Sequence, residues 1–181
     1  RNGKVSGFNT NVAIEDAVNV IVQGLQIIGK GVAPTSGPSE VGILLLNTRG
    51  ASVRSNTITS VNLGIFVRGG GSTGNRIFDN TIVGGGTPAN NLLGICYNPA
   101  PGGDANSPGP RGDNVYNNHI ARFGYAIAIS LGSGWNIFNQ NMLASFNGGF
   151  REPEALINGG GTNLAADNRE VIIPATALPA P

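Results

Sequence analysis

Val53-Arg-Ser-Asn56-Thr-Ile58, Ile77-Phe-Asp-Asn80-Thr-Ile82, Val115-Tyr-Asn-Asn118-His-Ile120 and Ile137-Phe-Asn-Gln140-Asn-Met142 align without gaps. An earlier stretch, Val22-Gln-Gly-Leu25-Gln-Ile27, fits with Leu in place of the polar residue. The phrases begin at residues 22, 53, 77, 115 and 137. That is a unit of about two dozen residues stretched by insertions, the signature of a solenoid coil. A second apolar piece precedes each copy: Gly42-Ile-Leu-Leu-Leu46, Gly64-Ile-Phe-Val-Arg68, Gly94-Ile-Cys-Tyr-Asn98 and Ala126-Ile-Ala-Ile-Ser130. Alternation places Ile43/Leu45, Ile65/Val67, Ile95/Tyr97 and Ile127/Ile129 on one face and sends Leu44, Phe66, Cys96 and Ala128 to the other. Copies of one strand separated by a full coil must run parallel. Stacked about 4.8 Å apart, they turn their inward residues into aliphatic ladders.

Asn56, Asn80 and Asn118, with Gln140 at the matching place, sit between two inward apolar residues, where the chain has to bend. Asn tolerates left-handed backbone angles, and its amide can bond to the next copy above. These four residues are therefore the expected stacking ladder. With these phrases the chain resembles the pectate-lyase-like β-helix superfamily, in particular the repeat class shared by NosD-like and carbohydrate-active proteins, over about residues 12–150. The resemblance implies an all-β, single-stranded, right-handed parallel β-helix of about five to six coils with long loop insertions on one side. A left-handed helix would need a strict six-residue period, which is absent. A β-sandwich would not repeat the Asn-x-Ile phrase at one phase.

The chain of 181 residues reads as a single domain, residues 1–181, with an irregular C-terminal segment over 151–181. With 29 Gly and only 12% charged residues, helices are disfavoured and Asn, Thr and Ser must build the surface. A net charge of +1 without a basic stripe argues against nucleic acid as a partner. The longest apolar run, Gly42–Leu46, is too short to span a membrane. A single cysteine, Cys96, excludes an internal disulfide framework and any multi-cysteine metal site; it reads as a small strand residue. Starting at Arg1 without an initiator Met or signal peptide, the sequence reads as a processed chain or a fragment. Low Lys with high Asn, Gly and Thr points to an extracellular or cell-surface location.

Three Gly/Pro/Asn/Ser-rich stretches break the period: Lys30–Glu40, Gly84–Leu93 and Asn98–Asp113. The first and third are expected to share a corner with the Gly71–Gly74 turn. From Arg151 the repeat fades. Arg151–Glu154 and Asn158–Thr162 look irregular, Val171–Ile173 reads as a last short strand, and Ala175–Pro181 as an extended or frayed end. Neither end shows an amphipathic capping helix. Bare ends expose strand edges that invite pairing with another chain or domain.

For chemistry, the resemblance sets the comparison. Enzymes of the superfamily place acidic and basic residues in a groove on one outer sheet. Pectate lyases carry Asp clusters for calcium with an Arg or Lys base, polygalacturonases N-T-D, G-H-G and R-I-K phrases, and alginate epimerases D-P-H-D. None of these phrases occurs here. Among the ten acids only Asp79 lies in an aligned repeat strand, and no carboxyl pair appears at the controlled separation that glycoside hydrolysis needs. The reading therefore leans away from an enzyme, with no cofactor and no metal. His119, beside Arg68 among the basic candidates, is either a base or a member of an exposed polar row. Glu15-Asp16 is either a calcium site or a solvated pair.

The outward column Arg54, Phe78, Tyr116 and Phe138 forms an aromatic stripe for sugar stacking or protein contact, unless a loop or the tail covers it. Arg111-Gly112-Asp113 resembles an integrin-recognition tripeptide, short enough to arise by chance. The expected function is a non-catalytic structural or adhesive module, partnered by itself in a homo-oligomer or fibre or by flanking domains of a larger protein. The alternative is a carbohydrate-active domain: a lyase, an epimerase or a glycan binder acting on polysaccharide.

Overall fold

In the computed structural model, residues 3–31, 40–85, 92–98, 108–130, 132–151 and 163–174 are described, Phe150 and Arg151 by backbone alone. Strand β1 (Lys4–Ser6) precedes six coils of three strands each. The coils are β2 (Thr10–Glu15), β3 (Ile21–Gln23), β4 (Gln26–Ile28); β5 (Val41–Leu46), β6 (Ser52–Arg54), β7 (Thr57–Val61); and β8 (Leu63–Arg68), β9 (Arg76–Phe78), β10 (Thr81–Gly84). Then follow β11 (Leu93–Asn98), β12 (Asn114–Tyr116), β13 (His119–Ala121); β14 (Tyr125–Ile129), β15 (Asn136–Asn139), β16 (Met142–Ser145); and β17 (Gly148–Arg151), β18 (Asn163–Ala166), β19 (Arg169–Ile172). First strands stack into sheet I (β2-β5-β8-β11-β14-β17), second strands into sheet II (β3-β6-β9-β12-β15-β18), and third strands, joined by β1, into sheet III. Every pairing is parallel. The chain is a right-handed parallel β-helix.

The inward columns follow the alternation. In sheet I, Ile43, Ile65, Ile95 and Ile127 stack in register, as do Leu45, Val67, Tyr97 and Ile129. In sheet III the column is Ile27, Ile58, Ile82, Ile120 and Leu143. These side chains form one continuous core, and burying each is worth roughly 1.5–3 kcal/mol. The glycines that open the sheet I phrases have a steric cause: a Cβ on Gly42, Gly64 or Gly94 would collide with Cγ2 of Ile58, Ile82 or Ile120.

At the corner between sheets II and III, Asn56, Asn80, Asn118 and Asn141 are buried and stacked. Asn80, Asn118 and Asn141 each offer Oδ1 to the backbone N–H and the amide of the Asn one coil earlier, while Asn56 offers its Oδ1 to the Leu25 N–H. The Asn56 N–H reaches Asn80 at 3.1 Å, that of Asn80 reaches Asn118 at 3.1 Å, and that of Asn118 reaches Asn141 at 3.0 Å. Asn168 continues the row. The left-handed backbone falls one residue before each Asn, at Ser55, Asp79, Asn117, Gln140 and Asp167, with φ between 53° and 55°. The bend and the ladder are thus divided between neighbours.

Two expectations on this helix are corrected. The fifth phrase is shifted by one residue: Val115 pairs with Phe138, not Ile137. Phe138 therefore points into the core, fully buried, and Asn141 rather than Gln140 joins the ladder. The physical reason is the pleat. A one-residue slip exchanges every inward and outward side chain, and the larger Phe138 ring fills the core while Ile137 stays 40% exposed. The insertions also lie elsewhere. Lys30–Glu40 and Gly84–Leu93 both join sheet III to sheet I, whereas Asn98–Asp113 joins sheet I to sheet II and shares its corner with Gly71–Gly74. They flank sheet I on both sides. Their middles, residues 32–39, 86–91 and 99–107, lie outside the described residues, as do 152–162 and 175–181. Where the repeat was expected to fade, β18 and β19 add a sixth coil.

Candidate binding faces

The sequence candidates fall on three different faces. On the outside of sheet II, Gln23, Arg54, Phe78, Tyr116 and Asn139 share one column. Arg54 donates from Nε to Gln23 Oε1 at 2.9 Å and lies 5.9 Å above the Phe78 ring. Phe78 and Tyr116 stack nearly parallel, with centroids 4.9 Å apart and planes 4° from each other. Rings held face to face along the coil axis turn their edges, not their faces, to solvent. Both faces of Phe78 are occupied, one by the Tyr116 ring and one by the guanidinium, and one face of Tyr116 is taken by Phe78. Asn139 stands where Phe138 was expected to extend the stripe.

His119 lies on the outside of sheet III, exposed in the column Thr57, Thr81, His119 and Met142. Arg68 lies on the outside of sheet I, its guanidinium 4.9 Å from the Phe66 ring centroid. The helix thus does not bring His119, Arg68 and the Phe78–Tyr116 pair together. Asp16 receives the Asn47 amide at 3.1 Å, and the two help line a shallow depression with Val18, Arg49 and Gly71. No cluster of three His, Cys, Asp or Glu capable of holding a metal occurs among the described residues.

A second ladder, not read from the sequence, runs along the corner between sheets I and II. It comprises Asn75, Asp113, Asn136 and Asn163, all buried. The Ala51 N–H donates to Asn75 Oδ1, that of Asn75 to Asp113 Oδ1 at 2.8 Å, that of Asp113 to Asn136 Oδ1 at 3.0 Å, and that of Asn136 to Asn163 Oδ1 at 3.1 Å. Each of these residues stands five positions before its counterpart in the first ladder: Asn80, Asn118, Asn141 and Asn168. That fixed interval was the available signal. The arrangement also disposes of the integrin-like tripeptide, because the Asp113 carboxyl is only 1% exposed and turned into the corner.

Burial pushes the Asp113 carboxyl up to about 6, against hydrogen bonds from the Asn75 backbone and amide that pull it down. Across the core the fully buried Tyr97 hydroxyl faces the same carboxyl, without a partner in hydrogen-bonding geometry. Burial foremost, and then the charge on Asp113, raise the Tyr97 phenol well above its usual range. The Tyr97 ring packs edge-on against Phe138, with centroids 5.6 Å apart.

One more residue escaped the sequence. Trp135 is 68% exposed and holds φ at 60°. Gly50, Gly74 and Gly112, likewise left-handed, stand at the corresponding turns of the three preceding coils.

No family model matches the chain, nor does any curated protein or solved structure. Among the described residues no helix is long and apolar enough to cross a membrane.

Proposed function

We propose that this chain is a non-catalytic structural or adhesive element of an extracellular or cell-surface assembly. It acts as a rigid coil stack that seats its N-terminal end on a further copy or on flanking domains of a larger fibre protein. One observation carries the reading: the unpartnered N-terminal coil. Among the described residues no strand pairs with the outer edges of β1, β2 and β3, and Phe8, Val18 and Ile21 are 60%, 62% and 60% exposed there. Such an edge is a template for pairing.

The two ends are not equivalent. In sheet III the inward column that begins at Val5 ends at Glu170, whose Oε2 receives the Gly149 N–H at 3.2 Å. An inward carboxylate on the last strand opposes a further coil. Head-to-tail stacking of β1 on β19 would set Val5 against Glu170 and Lys4 against Arg169. The outer edges of β17, β18 and β19 are likewise unpaired among the described residues, but in sheet III the carboxylate disfavours growth there, which leaves the N-terminal edge as the better seat.

Sedimentation velocity over a range of concentrations, with electron microscopy of the same samples, tests this. The wild type should associate into particles lengthened along the coil axis, and Val5→Glu, which copies the C-terminal guard, should remain monomeric. A wild-type chain that stays monomeric at every concentration would contradict the proposal.

A second reading, a glycan binder related to the pectate-lyase-like superfamily, draws on Trp135. Its left-handed backbone costs roughly 1–2 kcal/mol in a residue other than glycine, and its indole lies open to solvent. It is the only tryptophan in the chain, so its fluorescence reports directly on a panel of acidic and neutral polysaccharides. A saturable change that is lost in Trp135→Gly would favour this reading over the first.

A further inference from the structure

Asp113 occupies a ladder rung built for asparagine. On the rung below, Asn75 gives its amide to the Asp113 oxygens at 3.2 and 3.3 Å; on the rung above, the Asn136 amide reaches Asn163 at 3.0 Å. A carboxylate has no donor to pass on, so between Asp113 and Asn136 the side-chain chain of donors stops. The groups facing Asp113 are Asn75 from the coil below, Asn136 from the coil above and Tyr97 from sheet I. Among the described residues no cation pairs with it, and its neighbours Arg111 and Arg76 of the adjoining coil are both exposed. A buried carboxylate with no counter-charge is costly, and the buried Tyr97 hydroxyl faces it without reaching hydrogen-bonding geometry.

We propose that Asp113 is an acid-operated latch. Taking up a proton removes the buried charge and supplies the donor that the rung lacks, directed at Asn136 Oδ1, so that the coil stack is tighter in mildly acidic surroundings than at neutral pH. The sign follows from linkage. A carboxyl held near 6 in the folded chain, and near its ordinary value when unfolded, binds a proton more readily in the folded state between those two values. Stability is then highest at the acidic side of that window and falls as pH rises through about 6.

The test is urea unfolding of the whole chain and of Asp113→Asn at pH 5 and pH 7.5. The difference between them removes the contributions of the other titrating groups. Relative to the variant, the wild-type unfolding constant should rise about tenfold from pH 5 to pH 7.5. At pH 7.5 the variant should be the more stable of the two, since its amide completes the ladder. Carbon-13 spectra of aspartate-labelled protein should show one carboxyl titrating near pH 6, absent from the variant. Tyr97→Phe, which removes a dipole that favours the charge, should move that titration upward. A wild-type-to-variant difference that is the same at both pH values would overturn the proposal. So would a variant that fails to fold at neutral pH, or spectra in which every aspartate titrates below pH 5.

Discussion

Asn80→Ala strikes the middle of the first ladder. Asn80 Oδ1 accepts the Asn56 N–H at 3.1 Å and the Asn56 amide at 3.0 Å, and its own amide donates to Val53 O, Phe78 O and Asn118 Oδ1 at 2.9 Å each. Truncation leaves the buried Asn56 N–H with no acceptor. It spares part of the Asn56 amide, which keeps Val22 O at 3.0 Å, and spares Asn118 Oδ1, which keeps the Asn80 N–H. A buried donor left bare costs about 1–3 kcal/mol, while the carbonyls, with two lone pairs, suffer less. With the small cavity added, the loss should be about 2–5 kcal/mol, a large share of the roughly 5–15 kcal/mol that holds a domain folded.

Asn168→Ala removes the same chemistry from the last rung, where the side chain is half-buried and water can replace it; about 1 kcal/mol is expected there. Urea denaturation followed by circular dichroism measures both. The slope is read alongside, because a coil that opens on its own lowers it. A loss below about 1 kcal/mol at Asn80, or equal losses at both rungs, would refute the ladder as a source of stability.

Two further substitutions address the fifth coil. Phe138→Ala should cost about 3–5 kcal/mol, whereas Ile137→Ala, at a residue 40% exposed, should cost under about 1 kcal/mol; the reverse order would restore the register in which Ile137 faces inward. Trp135→Gly relieves a left-handed tryptophan and should gain about 1 kcal/mol, raising the thermal midpoint by roughly 2–4 °C. A lowered midpoint would mean that the indole packs within the fold.

The phrases at Val53, Ile77 and Val115 could be read because each has one apolar residue at the inward place and a polar or aromatic neighbour outside. The fifth phrase could not be phased in the same way. Ile137 and Phe138 are both apolar, as Ile77 and Phe78 are, but Asn139-Gln140-Asn141 offers an amide at every candidate rung where the third phrase offers only Asn80. Only the companion residue Asn136, five before Asn141, fixes the choice, and Ala51 breaks that companion row in the second coil. The loop corners were misplaced because the ladder bend is so short. The third strand of each coil, Thr57–Val61 for instance, runs on from the second within a single phrase, so three strands read as two. Alternation also tells inside from outside without telling one sheet from another. For that reason His119, Arg68 and Tyr116 could be named as outward residues but not assigned to separate faces. Trp135 carried no local signal; only its place one residue before Asn136, where Gly50, Gly74 and Gly112 precede Ala51, Asn75 and Asp113, marks the glycine-like backbone it adopts.

Both ladders require successive copies of the phrase to return to one direction around the coil axis. Gln26 and Arg169 stand five steps apart on a single outward column, through Thr57, Thr81, His119 and Met142. Spin labels at these two positions, in a chain with Cys96 replaced by Ala, should lie about 24 Å apart, five steps of about 4.8 Å, by pulsed dipolar spectroscopy. A single narrow distribution near that value is the expected result. A distance beyond about 35 Å, or several unrelated distances, would mean that the copies point in different directions and that neither ladder exists.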